Sequence, residues 1–475
     1  MIWRDVKIAG SSNPGRNNKI SAEATYNMVV TDGALVNFPG YKYVSQINPD
    51  ASQKSRGIYL SQLGGFMLVA SGQGIFRIES DLTAQHLGDV KNNPEGIEFA
   101  ENGNSQIAIS DGDAYYVYNY GSAPSFTEIN KNNYSSICSA KGYIFAATAG
   151  SNTFSYSNVN DATTAFPIDN TGEIGSDKIV ALRPYNDSVW VFGERSTKVW
   201  HDLGSAVNPW SLDPSSVMEY GCLNKRSIAS AYGYMVWVSL SEDGLATILA
   251  SDGGRPQEIS TPGLDAKFSR LSNPSECSAF MFQMDGHTFY QLTFIEDDFT
   301  IVYDFTDNSF YYATDEDGNK YIAQKLINFN RKYYFISFDD AYLYEMSGDF
   351  TTYDYLKDKN SLRVEQIPRR RITSPYRTKT YDYYRISALQ IVMREGMTED
   401  TPRVDVSWSN DGGETFRDAR RLLMSQRGDR YGIMQTNLLG AARDWTFKYE
   451  FITNGAVCAI SSAVQVNNAD FSAAA

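Results

Sequence analysis

Apolar residues in this chain come in short runs rich in aromatic and β-branched side chains, broken by small turns of Gly, Asp and Asn. Helical spacing of apolar positions is almost absent. One unit reads Gly57-Ile58-Tyr59-Leu60, a Gly64-Gly65 turn, Phe66-Met67-Leu68-Val69-Ala70, a Gly72-Gln73-Gly74 turn, then Ile75-Phe76-Arg77-Ile78. The same order returns at Ile107–Tyr118, Ser136–Ala147, Ile179–Trp200, Ile228–Val238, Ala279–Asp304 and Leu326–Tyr344. Strand, turn, strand, turn, strand at a spacing of roughly 40–50 residues is the period of propeller blades built from four antiparallel strands. The pattern predicts an all-β chain: a β-propeller of about six or seven blades.

The periodic part spans residues 57–355. Residues 1–56 are rich in Asn, Ser, Gly and Pro and read as an extended N-terminal arm, ending in Leu35-Val36-Asn37-Phe38 and a Pro39-Gly40 turn. Beyond Tyr353–Asn360, a polar bridge, the blade period is lost. Strands at Ile386–Val392, Val404–Ser409 and Trp445–Phe451 predict a C-terminal β module over 356–475, similar to a sandwich.

Composition adds three constraints. With 32 Tyr, 25 Phe and 7 Trp in 475 residues, the chain is rich in side chains that suit half-buried strands. Its net charge of −14 excludes a general nucleic-acid coat, whose affinity comes from cations displacing counterions from phosphate. An acidic wall would instead let a duplex slide past. Within 363–450, however, 16 Lys and Arg outnumber 12 Asp and Glu, and Arg369-Arg370-Arg371 is the densest basic run. Cys138, Cys222, Cys277 and Cys458 are scattered, as free thiols of a reducing compartment would be. The opening Met1-Ile2-Trp3-Arg4-Asp5 has no apolar leader, and no run has the length of a membrane span.

Candidate chemistry is sparse. His86, His201 and His287 stand apart from one another and from the cysteines, so no metal-ligand spacing is present. Asp297-Asp298 and Asp339-Asp340 are adjacent carboxylates, and neighbours on a strand point to opposite faces. Thr314–Lys320 resembles a calcium loop, but its glycine comes too early and flanking helices are missing, so it reads as a hairpin tip. Ser409-Asn410-Asp411-Gly412-Gly413-Glu414-Thr415-Phe416 resembles an Asp-box, which is a structural hairpin. No nucleophile elbow or P-loop is present. The residues predict no catalytic, cofactor or metal site, and no enzyme.

Three segments carry a resemblance across nearly the full length. They are Ala24–Val30 with Leu35–Gly40, then Ser188–Trp200, then Val406–Phe416 with Gly440–Phe447. In these the chain resembles the packaged-DNA stabilisation proteins of short-tailed phages, also called tail accessory or tail-nozzle proteins. The resemblance implies a structural virion protein of the tail, made in the host cytoplasm. It implies a ring of copies of this chain, usually a hexamer, below the portal and adaptor rings, with needle or fibre proteins at its distal end. DNA would pass through the channel without sequence-specific binding and be retained until ejection. For the basic run, the expectation is that Arg369, Arg370 and Arg371 dock an acidic ring partner. The alternative from another class is a carbohydrate-binding or depolymerising propeller of a phage tail, for which the aromatic abundance would supply stacking surfaces.

Overall fold

The computed structural model describes residues 2–466, apart from 18–19, 92–95, 131, 165, 167, 172–176, 206–208, 242–243, 358–360, 395–401 and 425–431. Among the described residues, six consecutive four-stranded antiparallel meanders form blades at 55–89, 98–130, 134–171, 179–212, 229–258 and 277–313. A seventh blade has three strands from 323–347, and its fourth, Gly40–Gln46, comes from near the N-terminus. The first strands of successive blades adjoin around the axis, and that of the seventh blade, Ala323–Phe329, meets Ser55–Leu60 of the first. The ring is closed by a strand that lies just upstream of blade one.

Burial explains the run-like hydrophobic pattern. Inner strands such as Met67–Ser71, Ser188–Gly193 and His287–Phe294 are buried at every position, because a neighbouring blade covers each face. Strands covered on both faces therefore lose the apolar/polar alternation of a half-wet sheet. The outer strand Ser125–Asn130 is largely open and polar. The turns are those that the dipeptides predict: Asp285 and Gly286 take φ of 49° and 82° between paired strands, the positive values of a tight hairpin turn.

Two further layers of strands face each other as a sandwich, the second of them continuous with blade six. One holds Met28–Thr31, Ala34–Asn37, Cys458–Val466, Tyr384–Met393 and Gly432–Ala442, with Ile2–Val6 pairing on Cys458–Val466. The other holds Arg369–Ile372, Asp444–Ile452, Arg403–Ser409 and Arg420–Leu423. Trp408, Trp445, Phe447, Tyr449, Leu389, Ile391 and Val464 fill the space between them.

The expected extended arm is built into the fold instead. Its strands are shared among the sandwich, blade six and blade seven, because each is short and gains its hydrogen bonds from partners far along the chain. The expected polar bridge at Tyr353–Asn360 is likewise part of a hairpin: Thr352–Lys357 pairs with Ser361–Gln366 on the outer side of blade seven. Its Asp358, Lys359 and Asn360 lie outside the described residues.

Candidate functional site

The sequence offers no catalytic constellation, and the candidate sites are the joint between the parts of the fold and the sheet edges left open. The joint is one continuous sheet. Ser309–Ala313, the outer strand of blade six, pairs in parallel with Ala24–Tyr26. That strand pairs with Arg369–Ile372, which pairs in turn with Asp444–Ile452 of the sandwich. Asn27, at φ 53°, completes the joint: its Nδ2 donates to Thr314 Oγ1 at 2.7 Å and Pro368 O at 3.0 Å, and its Oδ1 accepts from Thr314 N at 2.8 Å.

The three arginines sit in this joint. Alternation along the strand turns Arg369 and Arg371 to one face, where they are 1% and 0% exposed, and Arg370 to the other. Arg371 donates to the carbonyls of Ile8 at 3.0 Å and Ser11 at 2.7 Å, to Thr25 Oγ1 at 3.1 Å and to Glu23 Oε1 at 2.5 Å. Gly10 is required here, because a Cβ at that position would collide with the Arg371 guanidinium. Arg369 donates to Thr453 O at 2.9 Å and Thr351 O at 2.8 Å, tying the sandwich to the last blade. Arg370 lies 4.1 Å from the Tyr26 ring centroid. The expected docking patch is thus corrected for Arg369 and Arg371, whose charges are turned inward onto the N-terminal segment and blade seven rather than outward to a partner.

The seam is also aromatic. Tyr41, on the closing strand, stacks on Tyr353 at 4.4 Å and meets Tyr321, Phe335 and Tyr344 edge-on at 5.6–5.7 Å. Its neighbour Gly40 has no room for a side chain, since a Cβ would lie 2.5 Å from Thr352 O.

The sandwich leaves open edges on the side away from this joint. Among the described residues neither Arg420–Leu423 nor Gly432–Ala442 has a partner on its outer side. The two edges meet where Arg420 donates to Thr436 Oγ1 at 3.0 Å and Leu438 O at 3.2 Å. Leu423, Ile433 and Leu438 are 66%, 61% and 69% exposed there. Sequence reasoning missed these edges, because an exposed apolar residue on an edge strand reads like any core residue until the pairing is known.

The remaining chemical candidates resolve into local structure. Asp297 caps the backbone and hydroxyl of Ser272 at 2.8 Å, while Asp298 pairs with Lys320 at 2.6 Å. Asp339 pairs with Lys54, whereas Asp340 is held inward by Tyr344 Oη and Tyr342 N. In the Asp411 hairpin, hydrogen bonds from Ser409 and Thr415 hold the carboxylate well below its usual range. Thr314 and Lys320 bridge across a turn organised by Asp315. One cluster was not foreseen: His287, Asp304 and Asp307 place possible ligand atoms within 4.8 Å of one another. There His287 Nδ1 lies 2.6 Å from Asp304 Oδ2, and Asp304 Oδ1 accepts from Thr306 N at 2.8 Å, as a hairpin brace would. The cysteines are free, and no described helix is long and apolar enough to cross a membrane.

A closed propeller is joined through one continuous sheet to a sandwich with open edges among the described residues. A family model described as Bacteriophage P22 Gp10, beta-propeller, matches residues 20–351, and the chain belongs to that phage-stabilisation family, a family of structural phage proteins. The match includes the closing strand and all seven blades, and ends before most of the sandwich. No curated protein matches the sequence. Among solved structures, virginiamycin B lyase from Staphylococcus aureus is similar at 8% identity and a TM-score of 0.44, covering 65% of this chain and 99% of that one. The Pan2 WD40 domain of Neurospora crassa is similar at 9% identity and a TM-score of 0.44, covering 64% and 94%.

Proposed function

We propose that the chain is a tail-nozzle component of a short-tailed phage, without catalytic activity, and that it holds packaged DNA in the filled head until ejection. The observation that carries this reading is membership of the phage-stabilisation family across the whole propeller. Copies of the chain assemble side by side into a ring, taken as a hexamer, below the portal and adaptor rings, and the distal needle or fibre proteins attach beneath. The geometry supports such a ring in two ways. The joint of propeller and sandwich makes one stiff block, and repeating a head-to-tail contact between such blocks closes a ring. The open edges bearing Leu423, Ile433 and Leu438 supply a surface for that contact. The net charge of −14 suits a wall along which the duplex moves without adhering.

Deleting the gene and imaging the particles tests the proposal. Heads that fill, lose their DNA and lack the distal tail are expected. Full, tailed particles that fail only to adsorb or to clear capsule would overturn it in favour of the carbohydrate-binding reading.

A further inference from the structure

On the propeller axis, residues from or beside the first strands of all seven blades converge on a cavity of about 320 Å³. Its size is that of a small-molecule site, roughly 300–1,000 Å³. Its wall carries Arg56 from blade one, Arg183 from blade four, Lys225 and Arg226 from the short turn before blade five, and Lys325 from blade seven. The carboxylate in the wall is Glu98. A chain with 56 acidic and 42 basic residues thus concentrates cations at its axis.

The hydrogen bonds show which charges are already met. Glu98 is committed to Arg183 at 2.8 Å, to Ser136 Oγ at 2.7 Å and to Ile137 N at 2.9 Å. Arg226 pairs with Glu276 at 2.5 Å. Lys225 and Lys325 reach only carbonyls, Ser135 O at 2.5 Å and Ala279 O at 3.1 Å. Among the described residues no carboxylate lies within salt-bridge distance of either ammonium. A carbonyl takes one proton of an ammonium, so each keeps donors for the cavity, while Glu98 is the carboxylate near enough to act on both. Burial first, and then the Arg183 and Arg226 charges, push Lys325 down to about 8, against the pull of Glu98. Like charges held together in a partly dry space cost stability unless an anion joins them.

We propose that this axial cavity binds a small phosphate-class oxyanion, held between the Lys225 and Lys325 ammonium groups. Phosphate suits these donors because it offers several acceptor oxygens and more than one negative charge. Inorganic phosphate and the phosphate of a mononucleotide share this chemistry. The site does not depend on the tail-nozzle reading.

Calorimetric titration of the full chain near neutral pH, with inorganic phosphate in one arm and AMP in the other at fixed ionic strength, tests the proposal. Saturable binding of phosphate identifies the free anion, and binding of AMP alone identifies the nucleotide phosphate. Lys325→Met should weaken binding at least about tenfold, a clear step in affinity, while raising the unfolding temperature of the ligand-free protein. A merely structural lysine would lower it. Lys225→Met gives a second, independent loss of affinity. Lys54→Met, at an exposed lysine paired with Asp339, should change nothing. No saturation in either arm up to about 10 mM, beyond millimolar affinity, or an undiminished affinity in both cavity variants, would overturn the proposal.

Discussion

Replacing Arg371 by Met removes the guanidinium that organises the N-terminal segment. In the native protein that group is fully buried and donates to four acceptors at 2.5–3.1 Å, among them the Glu23 carboxylate, itself only 13% exposed. Met fills much of the volume, so packing loss is small, and the cost comes from what stays behind. Breaking a buried ion pair by removing one partner costs about 3–5 kcal/mol. The carbonyls of Ile8 and Ser11, left without a donor, put the total at the upper end of that range. Arg371→Lys keeps the charge but not the planar fork, and should cost about half as much. Adding Glu23→Gln to Arg371→Met removes the stranded charge and should recover about 1–2 kcal/mol. Urea unfolding of the four proteins gives the energies. Amide exchange supplies the local readout, since protection of residues 8–25 should fall more than that of blades two to four. An Arg371→Met protein within about 1 kcal/mol of the parent, with exchange unchanged in that segment, would show that the guanidinium does not hold the N-terminal segment in place.

Other outcomes follow from particular contacts. Burial alone would raise Glu98, but the Arg183 and Lys225 charges and the hydrogen bonds from Arg183 and Ser136 outweigh it and hold the carboxyl at about 2 against its ordinary 4.5. Its stabilisation is therefore complete above about pH 4.5 and is lost as the pH falls through 2, roughly 3 kcal/mol in all; Glu98→Gln should flatten the acid limb of a stability-pH curve over that window. Tyr41→Ala, in the closing strand, should cost about 3–5 kcal/mol in a denaturant titration by opening a cavity among Tyr321, Phe335, Tyr344 and Tyr353. Asp411→Ala should cost only about 1 kcal/mol and leave assembly intact in a sedimentation assay, because its bonds close a hairpin and nothing more. Leu438→Glu, on the open sandwich edge, should leave the monomer's unfolding curve unchanged and abolish ring formation on the same sedimentation readout.

Much of the propeller was legible because blade strands are local. Ser188–Gly193 follows Ile179–Tyr185 across a two-residue turn, so pattern and pairing lie in one stretch of sequence. The seventh blade was harder, since its fourth strand pairs Tyr41 with Met346 across most of the chain. No local signal marks Gly40–Gln46 as the missing strand. The arginine run misled for a different reason. Three cations in a row read as a docking patch for an acidic partner, but on a strand the first and third share a face, and here that face is the interior of the joint. The axial cations had no shared signal: Arg56, Arg183 and Lys325 all lie on first strands, but at the bulge, three residues after it and one residue after it, so aligning the blades does not bring them into register.

Whether this protein keeps packaged DNA inside the head is decided by adding it back. Heads filled in its absence receive the isolated chain or buffer at once, before their DNA is lost, and are then treated with nuclease and assayed for protected genome. Degraded DNA in the buffer-treated heads and protected DNA in those given the protein are expected. Equal protection in both would show that the protein does not retain DNA.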